Sequence, residues 1–284
     1  VTHGAKTIRE LGPVTRDEAE AAIAAAGATP DSMFPLFEAA IACSLHETPR
    51  GDAEHARACA AEAVERVRAR LKQHPPEEAL AEALATDMRL TGDLITYDDP
   101  ANADIVALWE RRRGLPVTLG LAYIDAARRA ALDVAGVDFP GHFLLRIETA
   151  EGPLALDPFA DGRVVPASEL GRRALLTGLA PGVAERLETL MAPAPDRAVL
   201  LRVQNNIFLR AREAGDHPRT ERVALRRALL DPSDHRAWLD VAAARESQGA
   251  LAGALEALGR ARSLDSSGTA VARAARDRVR LQLN

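Results

Sequence analysis

Apolar positions recur at helical spacing from residue 15 to residue 89, and this spacing predicts a run of helices. The stretch TRDEAEAAIAAAG opens with Thr15 as a cap, places acids in the first turn and closes at Gly27. DSMFPLFEAAIACSLHETPRGD continues as a compact apolar helix that ends before Pro49-Arg50-Gly51. AEHARACAAEAVERVRARLKQ is Ala-rich, with Ala60, Val64, Val67 and Leu71 at helical intervals. Pro75-Pro76 breaks the chain, and EEALAEALATDMRL reads as a further amphipathic helix. TGDLITYDDPANADI is a loop with Asp99-Pro100 as turn chemistry. ADIVALWERRRG forms a short helix stopped by Gly114, and Pro116 opens a longer one over VTLGLAYIDAARRAAL. Its stripe is Leu119, Ala122, Tyr123, Ala126 and Ala130.

From residue 134 to residue 165 the period falls to two, the one convincing β-region of the chain. Helical patterns return at 167 and run to the end. In the last third, Trp238, Gly249, Ala254, Leu258, Ala261 and Leu264 stand at the spacing of a tetratricopeptide unit. A weaker copy precedes it, with Gly215, Leu225 and Ala228 in similar slots. Asp231 and Asp265 lie one 34-residue period apart. The pattern predicts a mostly α, α+β chain in three parts: a helical segment over 1–75, a small core with a short antiparallel sheet over 76–190, and helical repeats over 191–284.

Composition narrows the function. Hydrophobic residues make up 47% of the chain but aromatics only 4%, so the core is built from Ala, Leu and Val, which suits close-packed helices. The net charge of −5 excludes the basic surface that a phosphate backbone requires. No apolar run approaches the ~18 residues of a membrane span, and VTHGAKTIRE lacks the apolar centre of a signal peptide. Cys43 and Cys59 both lie in helical stretches, so no disulfide is expected and a reducing, cytoplasmic setting is. His46, His55 and His74 show no metal-ligand spacing, and no Gly-rich phosphate loop occurs. Neither metal nor cofactor is expected.

Candidate chemistry concentrates in VDFPGHFLLRIETAEGPLALDPF, residues 137–159. Read as two antiparallel strands, Phe143, Leu145 and Ile147 face one way while His142, Leu144 and Arg146 face the other. Asp157 falls on the His142 side, and a turn near residues 149–152 brings the two nearly opposite. A carboxylate orients an imidazole and stabilises its protonated form, as in thiol and serine acyl transfer. The plainer explanation is a buried pair whose members satisfy each other.

Together with Tyr97, Asp99-Pro100, Asn102, Arg113-Gly114-Leu115-Pro116, Leu119 and Tyr123, the sequences PGHF (140–143) and LDPF (156–159) resemble the transglutaminase-like branch of the SirB family over about residues 35–165. That branch belongs to the transglutaminase-like, papain-related superfamily. The resemblance implies a nucleophilic Cys at the start of a helix, a His on one strand and an Asp on the next, with the helix N-terminus lowering the thiol pKa. It also implies a tetratricopeptide-like tail. The matching helix starts near Pro116, and the Cys slot falls at or near Val117, which has no nucleophilic atom. Thr118 is the nearest hydroxyl and is expected to serve as a helix cap.

The missing thiol points to a non-catalytic protein that binds a protein partner through residues 191–284. His142 and Asp157 would be vestigial catalytic residues, and Arg113, Thr118, Tyr97, Asn102 and Tyr123 would line the cleft. Asp98 and Asp99 could join His142 on a metal, although adjacent acids in a turn are usually exposed. The alternative is a cysteine-independent amidase, peptidase or acyl transferase. It would use the His142–Asp157 pair with Thr118, an imported Cys or water.

Overall fold

The structure, a computed structural model, describes residues 15–184, 186–264 and 269–283. The VTHGAKTIRE stretch and Asp265 of the 34-residue period lie outside the described residues. Helices α1 (Arg16–Gly27), α2 (Leu36–Glu47) and α3 (Ala53–Arg70) come first. Thr15 caps α1 in a reciprocal box with Glu18, which satisfies two otherwise orphaned backbone donors. Helix α2 starts later than the apolar pattern suggests. Pro35 occupies its N-cap, and Asp31–Met33 form a separate single 3-10 turn.

Helix α4 (Pro76–Ala81) runs directly into a π-helical turn, Glu82–Asp87. Next, β1 (Thr91–Gly92) pairs in parallel with β2 (Arg113–Gly114), on either side of α5 (Ile105–Arg111). This ladder is additional to the expected β-region; strands of two residues are too short for alternation to signal. Helix α6 (Pro116–Arg129) follows. Strands β3 (Val134–Val137), β4 (Leu144–Thr149), β5 (Gly152–Asp157) and β6 (Arg163–Val165) then form an antiparallel meander in chain order.

The alternation along β4 and β5 decides how the sheet is covered. Leu145, Ile147 and Leu156 join the main core on the α6 side. Leu144, Ala155 and Val165 join a smaller cluster with Leu170 and Ala174 of α7 (Ala167–Leu176). Two short helices, α8 (Pro181–Ala184) and α9 (Leu187–Leu190), lead into α10 (Asp196–Glu213), α11 (His217–Leu230), α12 (His235–Ser247), α13 (Leu251–Leu264) and α14 (Thr269–Leu283). These five are long helices joined by short connections. Trp238, Ala254, Leu258 and Ala261 are buried between them, whereas Leu264 is largely exposed. No helix among the described residues is long and apolar enough to cross a membrane.

The C-terminal helices are packed into the same core as the N-terminal ones, which runs from Ala19 to Val279. Arg219, Arg222 and Arg226 lie along one side of α11 and converge on Glu47 at the end of α2, at 3.5, 2.8 and 2.8 Å. Arg226 is 1% exposed and also donates to Gln204 of α10 at 2.8 Å. Arg197 of α10 donates to the carbonyls of Gly27, Thr29 and Leu230, filling acceptors that α1 and α11 leave open at their C-termini. Burial alone would raise the Glu47 carboxyl, but Arg226 and Arg222 outweigh it and hold it down at about 2. His46 lies beside the same guanidinium; burial and then the Arg226 charge push its imidazole down to about 4.

Two outcomes follow for stability. Replacing Glu47 with Ala leaves three guanidinium groups uncompensated, one of them buried, and is expected to cost about 3 kcal/mol or more in urea unfolding. The second concerns pH. His46 takes its proton at 6.5 when unfolded but only at about 4 when folded, so the unfolded chain binds more protons between those values. Stability is therefore lost as pH falls through that window, and Glu47 adds a further loss as pH falls from 4.5 toward about 2. Urea midpoints of a His46→Gln variant should be flatter than those of the parent across the first window.

Candidate functional site

The turn before β4 positions the imidazole. His142 N–H donates to the Phe139 carbonyl at 2.9 Å, and Gly141 between them takes a left-handed φ of +71°, which glycine adopts without steric cost. Phe139 and Phe143 are both buried, the first in the α7-side cluster and the second in the main core. The backbone on either side of His142 is thus pinned from opposite directions. Helix α6 comes close enough to seat Phe143 because residue 120 is glycine; a Cβ there would drive into the Phe143 ring.

Asp157 ends β5 and caps the 3-10 turn Pro158–Ala160, accepting from Phe159 N–H at 3.1 Å. His142 Nε2 stands 3.1 Å from both of its carboxylate oxygens. The pair expected from the alternation is therefore formed, but its geometry differs. The register places Leu145 opposite Leu156, and His142 sits in a bend two residues ahead of β4. Its side chain reaches the carboxylate at the end of β5 from ahead of the β4 start instead of facing it across the ladder.

A third member escaped the sequence analysis. Arg173 of α7 donates from Nη1 to Asp157 Oδ2 at 3.0 Å. It also donates to Glu169 at 3.0 and 2.7 Å, and Glu169 in turn receives Arg163. The i,i+4 spacing of Glu169 and Arg173 signals their own pairing but says nothing of Asp157. Burial by itself would raise the Asp157 carboxyl. Hydrogen bonds and charge from His142 and Arg173 prevail and hold it below the usual carboxylate range. Arg163 foremost, with Arg173, holds Glu169 at about 2. An ionised Asp157 only accepts, so the His142 Nε2 that faces it is the donor of the pair. The Asp157 side chain is 3% exposed and that of His142 27%.

The helix start that should carry the nucleophile is apolar. Leu115 is the N-cap and Pro116 the first helical residue, with no side-chain cap bond. Thr118 is therefore not the cap: proline, with its fixed φ and absent N–H, takes the first turn and moves the boundary upstream. Val117 and Thr118 are both buried, and the Thr118 hydroxyl has no hydrogen-bond partner. Cys43 lies on α2, where burial pushes its thiol up to about 12. Cys59 lies on α3, in contact with His55 and Arg112. Among the described residues, no thiol or hydroxyl is hydrogen-bonded to His142.

The other candidates separate into distinct places. Asn102 is fully buried, donates to the Thr96 carbonyl at 2.7 Å and accepts Leu115 N–H on its own carbonyl at 2.9 Å, so it ties the 93–99 loop to the start of α6. Tyr97 is exposed and meets the Phe159 ring edge-on, with centroids 6.0 Å apart. Arg113 is exposed on β2. Arg111 instead makes the loop contact, pairing with Asp99 at 2.7 Å. Asp98 pairs with Arg210 at 3.0 Å, so neither acid of that turn reaches toward His142. Tyr123 is buried with an unpartnered hydroxyl; burial raises its phenol, and Asp161 and Asp157 add to the effect. A surface groove of about 990 Å³ opens at the other end of α6, between Phe37, Glu38, Arg57, Ile124 and Asp125; neither His142 nor Asp157 lines it.

Comparison with known proteins gives the family. Residues 54–205 match the transglutaminase-like superfamily. A UPF0162 protein of Xylella fastidiosa (strain Temecula1) is 32% identical over 81% of this chain and 84% of its own length. Its counterpart in strain 9a5c is 31% identical over 74% and 76%. A UPF0162 protein of Pseudomonas aeruginosa is 30% identical over 70% and 86%. No solved structure matches. The chain belongs to the transglutaminase-like superfamily and, within it, to the UPF0162 proteins.

If the close approach at residue 120 seats the turn that carries His142, a single methyl should be felt. Gly120→Ala is expected to lower stability by about 1–3 kcal/mol, read from the urea midpoint. Gly171→Ala inside α7, where a Cβ meets nothing within 4 Å, is the control and should hold or raise the midpoint, since Ala favours a helix interior over Gly.

Proposed function

We propose that, as a member of the transglutaminase-like superfamily, this chain is a non-catalytic binding protein. PGHF and LDPF support placing it in the SirB-type branch. The observation that carries the reading is the unaccompanied base. His142 and Asp157 stand in hydrogen-bond contact, yet the helix start that the resemblance assigns to the nucleophile offers Val117 and a buried Thr118. Nucleophilic catalysis needs an attacking atom within reach of its base, and of the two thiols Cys43 is buried on α2 while Cys59 on α3 meets His55 and Arg112. Asp157 is also shared with Arg173, which makes the pair part of a charged strut between β5 and α7.

In this reading the C-terminal helices, residues 191–284, supply the docking face for a protein partner in the manner of tetratricopeptide-like repeats. Supporting it are the hairpin of α12 and α13, the left-handed turn at Gly249 and the small buried residues Ala254, Ala257 and Ala261. Leu209 on α10 and Leu264 on α13 remain exposed.

The test compares the full chain with His142→Ala on a panel of activated esters and peptide amides, and in affinity capture from lysate. The expected outcome is no His142-dependent turnover and the same captured partner for both. Leu209→Asp with Leu264→Asp should lose that partner. The unbound, part-exposed Nδ1 of His142 defines the opposite result: a hydrolysis abolished in His142→Ala would make the pair a water-activating base and overturn the binding reading.

A further inference from the structure

Cys59 has a polar neighbourhood that a packing cysteine does not require. Its sulfur lies 3.4 Å from His55 Nε2, one helical turn earlier on α3. On the other side, Arg112 Nη2 points at the same sulfur, also at 3.4 Å. Arg112 is firmly held. It takes a left-handed φ of 61° at the end of α5, donates its N–H to the Leu108 carbonyl and accepts Thr91 N–H on its own carbonyl. Its guanidinium lies over the Trp109 ring, 5.8 Å from the centroid.

Two N–H groups of this Arg112–Trp109 pair lack an acceptor. Arg112 Nη1 is buried without a partner, and so is Nε1 of Trp109, a residue only 1% exposed. Buried donors left unmet are costly and uncommon in folded proteins. A thiol is a weak acceptor, whereas a thiolate, or an oxygen bonded to the sulfur, is a strong one. The unmet Nη1 sits on the same guanidinium that meets the sulfur through Nη2, so an oxygen carried by Cys59 would supply the acceptor it lacks. Cys43 differs: it is buried among α2 residues, with its thiol pushed up to about 12.

We propose that Cys59 is a site of oxidation by a hydroperoxide, in which Arg112 and His55 hold the thiolate and the unmet Nη1 of Arg112 donates to the added oxygen. The thiol proton passes to the His55 imidazole. The sulfur lone pair then attacks one peroxide oxygen; the S–O bond forms as the O–O bond breaks. Sulfur loses two electrons and becomes a sulfenic acid. The departing hydroxide takes the proton back from His55 as water. His55 stands at the surface end of the cluster, where a small peroxide would arrive. The site touches neither His142 nor Asp157, and it does not depend on the function proposed above.

The experiment treats the folded, full-length chain with hydrogen peroxide, traps sulfenic acid with dimedone and locates adducts by peptide mass spectrometry. Cys59 should be labelled and Cys43 should not, although both should react once the chain is unfolded in guanidinium chloride. Arg112→Gln and His55→Gln should each slow labelling of Cys59 several-fold, with far-UV circular dichroism unchanged. If Arg112→Gln does not fold, His55→Gln, on the exposed flank of α3, decides the matter. Absence of an adduct at Cys59 in the folded chain, or equal labelling rates in parent and folded variants, would overturn the proposal.

Discussion

Burial of α6 is the constraint around which the chain is arranged. Every residue from Val117 to Ile124 is buried, as are Ala126 and Ala127. A helix enclosed on all sides must be apolar or small around its whole circumference, and Val, Leu, Ala, Gly and Ile dominate here. Helices α2, α3, α5 and α10 pack on one part of it and the sheet on another. Gly120 lets the sheet side come close through Phe143, which fixes the turn carrying His142. The exceptions to apolarity are informative. Thr118 and Tyr123 place unpartnered hydroxyls in this dry setting, and such groups cost stability unless something compensates.

A transglutaminase-like scaffold normally uses the start of its buried helix to present a reactive thiol to the imidazole. In this chain that position has been absorbed into the core. Leu115, Val117 and Leu119 are all buried, and the carboxylate that should serve only the imidazole is shared with an arginine. One scaffold can host unrelated activities, and the His142–Asp157–Arg173–Glu169–Arg163 series ties the turn before β4, the end of β5, β6 and α7 together by charge. A carboxylate with four hydrogen-bond contacts tethers three segments of chain whether or not it ever assists a proton transfer.

Local patterns carried much of this architecture. Thr15 announces the start of α1, and alternation from residue 134 onward identifies the β-region and assigns Leu145 and Leu144 to opposite faces. The pairing of His142 with Asp157 was legible for the same reason, since faces follow from period two. Its offset ahead of the β4 start was not, because a glycine turn shifts a side chain by amounts that alternation does not encode. Arg173 and the convergence of α11 on Glu47 were illegible too. Each joins residues far apart in sequence, and a charged side chain on a helix gives no sign of whether it faces water or a distant carboxylate. The misplacement of Thr118 as a cap has a different cause. Two start signals competed within three residues, and Pro116 prevailed.

The arginines that join α10 and α11 to α1 and α2 also bear on chain integrity. The stretch around α8 and α9 is largely exposed and connects the two halves. Severing the backbone there would break a covalent link but leave Glu47, Arg226 and Arg197 in place. The resulting fragments would remain mated as a non-covalent complex. Neither would have a complete interior on its own, so the two would be expected to regain structure on mixing rather than apart.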